Sequence, residues 1–238
     1  MPMVGWYDPR QLARTGVEVA ISTIFGRHSD HRLVEAMAAS GCEPFYDYTY
    51  YYNDDGHELC EPDITRPRSS IWIDYVGDVG DGWNSTYAVA YYMSGDSRSF
   101  KYTYEGSTFD TTETHRGDVL IFGGDEVYPT ASREAYQDRL IGPYETALRS
   151  TKAPSPHVFA IPGNHDWYDS LVAFTRLFTA RPWFAGWRTR QKRSYFALKL
   201  PHNWWIWGAD IQLAQYLDHL RLDRHVERGG RLVRDQEF

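Results

Sequence analysis

Three apolar runs in this chain end on residues of types that can bind cations. Residues 70–77, SIWIDYVG, lead into Asp78; residues 118–124, DVLIFGG, lead into Asp125; residues 157–163, HVFAIPG, lead into Asn164, His165 and Asp166. Carboxylate, amide and imidazole are the donors that hard or borderline divalent metals accept. Carboxylates brought together repel one another unless cations lie between them. The glycines before Asp125 and Asn164 let the backbone turn sharply and approach a ligand without Cβ interference. One Gly-Asp or Asn-His pair at the end of a strand is ordinarily a turn. Three such ends in order, each after an apolar strand, point to a metal centre.

The elements that must position these residues follow from the periodicity. From residue 70 onward, apolar runs of strand length alternate with helical stretches, which predicts an α/β fold with a largely parallel sheet. Neighbouring strands in such a sheet lie about 5 Å apart, so residues distant in sequence meet in one crevice at the carboxyl ends. Helices are predicted from residue 84, with Asn84 as N-cap, from Ser132 to about Arg149, and over residues 169–179. SYFALKL and NWWIWGADI read as two strands of a hairpin around Pro201. Residues 8–40 read as a helical lead-in, with Leu33, Val34 and Met37 at helical spacing, and residues 45–63 as an irregular aromatic and acidic segment. The predicted division is an appendage over 1–69 and a main domain over 70–238.

GGDEVYP (123–129) and PGNHDWY (162–168) resemble the second and third signature blocks of the calcineurin-like metallophosphoesterases. The resemblance spans roughly residues 70–212 and is close to a bacterial subgroup with a WIDYV-like strand and a GDGWN-like turn. It implies an αββα sandwich of two sheets flanked by helices, and two divalent metal ions such as Mn, Fe or Zn. It assigns Asp78 to the first metal, Asp125 to a bridge between both, Asn164 to the second metal and His165 to catalysis. Two metals about 3.5–4 Å apart hold the attacking and leaving oxygens of an in-line displacement and acidify a bound water. His165 then serves the leaving oxygen, with Asp166 orienting it. The implied substrate is a phosphorylated small molecule or a phosphodiester.

Several residues carry two readings. The family's histidine two positions after the first Asp is Gly80 here; Asp81 either replaces it as a ligand or opens the Asp-Gly turn. Asp74 lies within its strand as a structural group, and Asp210 stands behind the ligands at best. Arg188 and Arg190 either belong to a solvated loop or clamp the substrate phosphate by bidentate hydrogen bonds. The family's later histidine blocks are not matched, and His219 and His225 read as surface residues. The sandwich is therefore expected to be incomplete at its C-terminal end, and the runner-up reading is a truncated or catalytically impaired relative that acts as a binding module or has no function.

Composition narrows the function further. With 32 acidic and 25 basic residues, the formal charge of −7 supplies no field for bulk nucleic-acid binding. Cys42 and Cys60 form neither a disulfide framework nor a metal-ligand spacing. No basic n-region precedes an apolar run and no segment approaches a bilayer span, so a cytoplasmic location is expected.

Overall fold

The computed structural model describes residues 3–26, 45–52, 62–104, 107–148 and 155–213. Helix α1 (Pro9–Gly26) leads to three short strands, β1 (Tyr46–Asp47), β2 (Tyr50–Tyr52) and β3 (Pro62–Pro67). Strand β4 (Ile73–Val76) and helix α2 (Trp83–Met93) follow, then an antiparallel hairpin of β5 (Ser97–Tyr104) and β6 (Ser107–His115). Strand β7 (Val119–Phe122) precedes α3, residues 133–147, whose middle turn Gln137–Ile141 is π-helical. Strand β8 (His157–Ala160) is followed by a 3-10 turn (Asp166–Asp169) and α4, residues 172–180. Strands β9 (Trp183–Phe184), β10 (Trp187–Thr189), β11 (Phe196–Lys199) and β12 (Trp205–Gly208) complete the order.

The predicted parallel sheet is present, with order β4-β7-β8-β10-β9. Val76, Phe122 and Ala160 share one rung, so the loops that follow them leave side by side. All four residues of β7 and of β8 are buried, the signature of strands covered on both faces. Leu120, Phe122 and Val158 point to the helices, where they meet Leu140, Tyr144, Phe174 and Phe178. The alternate residues Val119, Ile121 and Phe159 point to the second sheet. Phe122 touches Tyr144, Phe178 and Phe184 at ring separations of 5.5–5.7 Å. Truncating such a side chain to alanine costs about 3–5 kcal/mol.

The second sheet has order β1-β11-β12, with β1 parallel to β11 and the predicted β11–β12 hairpin antiparallel. Here the reading of residues 45–63 as irregular is corrected over 46–52. Tyr46, Tyr48 and Tyr52 are buried at even spacing and pack with Phe159, Phe196 and Leu198. A period of two in which every apolar residue is tyrosine hides among the intervening tyrosines. The described residues thus supply a helical layer and these two sheets, besides the two-stranded pairs β2–β3 and β5–β6. Trp205 and Trp207, on the outer face of the second sheet, are 44% and 78% exposed.

Two helix starts also differ. Gly82, in extended conformation, is the N-cap of α2 and Asn84 lies inside its first turn; after the 3-10 turn, α4 begins at Val172. Ser132 is the predicted cap, its Oγ accepting from the N–H of Ala135 at 3.0 Å. The readings of residues 27–44, of Cys42 and Cys60, of His219 and His225, and of the chain beyond residue 213 lie outside the described residues. No helix among the described residues is long and apolar enough to cross a membrane.

Candidate metal centre

Three loops, residues 77–82, 123–132 and 161–171, leave the adjacent ends of β4, β7 and β8. Backbone hydrogen bonds stitch the first two: Asp78 N–H donates to Gly124 O at 3.1 Å, and Tyr128 N–H to Gly80 O at 3.2 Å. Both aspartates take left-handed backbone, Asp78 with φ 52° and Asp125 with φ 53°, which aims their side chains out of the strand direction. Tyr128 Oη lies 2.5 Å from Asp78 Oδ1 and 3.0 Å from Asp125 Oδ2. One phenol therefore reaches both carboxylates. Burial, with the two carboxylates beside it, holds the Tyr128 hydroxyl above its ordinary pKa.

The third loop is tied to the second through carboxylates. His165 N–H donates to Asp125 Oδ1 at 3.0 Å, and Ala131 N–H donates to His165 O at 3.3 Å. Gly163 lies so close that a Cβ there would sit 2.0 Å from Asp125 Oδ1, so only glycine permits this approach. His165 Nδ1 lies 2.6 Å from Pro129 O. A carbonyl only accepts, so Nδ1 carries the proton and Nε2 is the nitrogen left for chemistry. The ring is thus oriented by Pro129, where the sequence reading assigned that task to Asp166.

Asp166 does something else. Its buried carboxylate accepts from Gly163 N–H at 2.9 Å, Glu126 N–H at 3.2 Å and Tyr136 Oη–H at 2.8 Å. It thereby clamps the second and third loops to α3. Glu126 beside it is fully buried, and neither carboxyl oxygen finds a hydrogen-bond donor among the described residues. Burial, and after it the Asp166 charge, push Glu126 well above the usual carboxylate range. Asp166 is also raised, by burial, while its donors oppose the shift.

The remaining candidates are placed as follows. Asn164 is exposed, its amide nitrogen 3.4 Å from Tyr168 Oη. Asp81 Oδ1 accepts from the Trp6 indole N–H at 3.1 Å, and its backbone carbonyl accepts from Arg139 at 2.5 Å. The first contact turns its side chain to the N-terminal segment, and the second ties its backbone to α3. A histidine at position 80 is excluded by the backbone, since a Cβ there would lie 2.1 Å from Glu126 O at φ 74°. Arg188 is buried in β10 in register with His157, the first residue of β8, about three strand steps of 3.3 Å from the end of β8 where the third loop leaves. Its guanidinium covers Trp183 at 4.8 Å, and that of Arg190 covers Tyr52 at 4.5 Å. Neither is brought to Asp78 and Asp125. Asp74 accepts from Gly117 N–H at 2.8 Å, and Asp210 from the indole of Trp167 at 3.2 Å.

Sequence reasoning missed Tyr128, Thr86 and Trp6. Thr86 Oγ1 accepts from Gly80 N–H at 3.0 Å and donates to Gly82 O at 2.9 Å, fixing the first loop. Tyr128 lies three residues after Asp125 in GGDEVYP, which is the available signal. As a donor set, Asp78, Asp125, Asn164 and the Tyr128 phenol are all oxygen and suit a hard or borderline divalent cation. Among the described residues no group of three or more His, Cys, Asp or Glu side chains gathers to hold a metal unaided. The set therefore fits a cation only with the amide, the phenol or water completing it.

A family model described as calcineurin-like phosphoesterase matches residues 71–227. No curated protein and no solved structure matches the chain.

Proposed function

Because the chain belongs to the calcineurin-like phosphoesterase family, we propose that it hydrolyses a phosphomonoester or phosphodiester at the ends of β4, β7 and β8, with divalent metal ions as cofactor. The observation that carries this reading is the single phenol oxygen of Tyr128 within hydrogen-bond reach of both Asp78 and Asp125. Asp78, Asp125 and Asn164 would hold the metals, Asp125 as the carboxylate shared by a dinuclear pair. When bound, such cations polarise the phosphoryl oxygens and lower the pKa of water.

The chain's own residues then divide the remaining work. Asp125 receives the His165 backbone N–H and so sets the distance between ligand and imidazole. Pro129 O holds the proton on Nδ1, which directs Nε2 to the leaving oxygen. An imidazolium donates its Nε2 proton there; the neutral ring afterwards takes a proton from water. Asp166 keeps the two loops in register through the N–H groups of Gly163 and Glu126.

The test is to equilibrate the purified chain with Mn(II), Fe(II) or Zn(II), then measure bound metal and hydrolysis of 4-nitrophenyl phosphate and bis(4-nitrophenyl) phosphate. Metal-dependent release of nitrophenolate is expected, and the ratio of the two rates names the ester class. A chain that neither retains metal nor hydrolyses either ester would overturn the reading. One observation favours a second reading, an impaired relative that binds phosphoesters without turnover: the backbone excludes a histidine at position 80. Metal and phosphate binding without hydrolysis would select it.

A further inference from the structure

We infer that Trp6 is a specificity-determining residue, its indole forming a wall for the group esterified to the phosphate and favouring flat aromatic groups over small alkyl ones. This rests on the phosphoester site proposed above.

Residues 3–8 form a strap fixed beside the metal loops. Val4 is buried and its N–H donates to Asp81 O at 3.0 Å. The backbone of Met3 lies against Gly82, where a Cβ would come within 3.0 Å of Met3 Cα. At the other end Asp8 Oδ1 accepts from Arg10 N–H at 2.9 Å, starting α1 as an N-cap does. Helix α1 is itself tied to the second loop, since Thr130 Oγ1 donates to Glu18 Oε2 at 2.7 Å. Anchored on both sides, the strap has one place for Trp6.

That place is against the reacting groups. The Trp6 ring stands edge-to-face with Tyr128 at 5.4 Å and with His165 at 6.2 Å. Its only polar atom, the indole N–H, is committed to Asp81. What remains is apolar π surface, and the residue is 41% exposed. The group attached to the leaving oxygen lies one bond beyond the atom that His165 Nε2 serves. The His165 ring that serves it has its centroid 6.2 Å from that of Trp6, and aromatic rings pair with an indole over about 4.5–7 Å between centroids. The Asp81 carboxylate beside the indole disfavours a leaving group that carries its own negative charge.

The experiment compares binding of phenylphosphonate and methylphosphonate, which are not hydrolysed, by calorimetry on the Mn(II)-equilibrated full chain. Wild type should bind phenylphosphonate more tightly by about fivefold, the usual worth of an aromatic pair. Trp6→Phe should keep most of that preference and Trp6→Ala should lose it, with methylphosphonate binding unchanged. Trp6→Leu, which keeps apolar bulk, decides the case if Trp6→Ala does not fold, and it too should lose the preference. The same preference in wild type and in the folded non-aromatic variant overturns the role of Trp6 while leaving the phosphoester site intact. Failure of wild type to bind either phosphonate overturns both.

Discussion

Asp125 and His165, forty residues apart, are joined by a hydrogen bond from the His165 backbone N–H to Asp125 Oδ1 at 3.0 Å. The same carboxylate meets the Tyr128 phenol through its other oxygen. Its position is therefore set by two loops, and that of Asp78 by contacts within the first two. Asp125→Asn should lower bound metal more than Asp78→Asn does, because a shared carboxylate serves two cations. Elemental analysis after gel filtration checks this, and equal metal in wild type and Asp125→Asn would refute the assignment.

His165 holds its Nδ1 to Pro129 O, so its ring is oriented without metal. His165→Ala should retain the bound metal and slow turnover by about 100-fold or more, the ordinary contribution of a general acid. The loss should shrink for esters whose leaving group needs no proton, such as nitrophenolate. Metal content measured alongside the rate separates this role from ligation: metal lost with the imidazole would make His165 a ligand.

Asp166 receives three donors in a buried site. Asp166→Ala leaves the N–H groups of Gly163 and Glu126 and the Tyr136 hydroxyl unsatisfied, each worth about 1–3 kcal/mol when stranded. The variant should unfold at a temperature lower by about 10 °C in a chain of this size. Differential scanning calorimetry reads the shift, and an unchanged midpoint would show that water replaces the carboxylate.

Asp169 gives the fold a pH dependence of its own. Burial raises its pKa from 3.8 to about 6, against the opposing N–H donors of Ala173 and Val172. A raised acid binds more protons folded than unfolded, so its contribution weakens as pH rises from about 4 to 6 and is constant outside that window. Asp169→Asn should remove that part of the slope. The difference in chemical-denaturation midpoint between wild type and variant, followed from pH 4 to 8, tests the sign. A difference that does not change across the window would contradict it.

The parallel sheet and the positions of Asp78, Asp125 and His165 were legible in the sequence because each depends on local signals: an apolar run of strand length, then glycine and a polar residue. Those signals survive folding, since strand ends in a parallel sheet are neighbours by construction. The Ser132 cap was legible for the same reason. Tertiary structure alone decided what depends on contacts between distant segments. It put Tyr46 into the second sheet opposite Leu198 and Tyr48 into the core beneath it, gave Asp81 to Trp6, and moved Arg188 and Arg190 onto aromatic rings away from the metal loops. It also gave the orientation of His165 to the Pro129 carbonyl, a backbone atom that carries no residue-type signal. A side chain's chemistry is written in the sequence; its partner is fixed only when another part of the chain arrives to satisfy it.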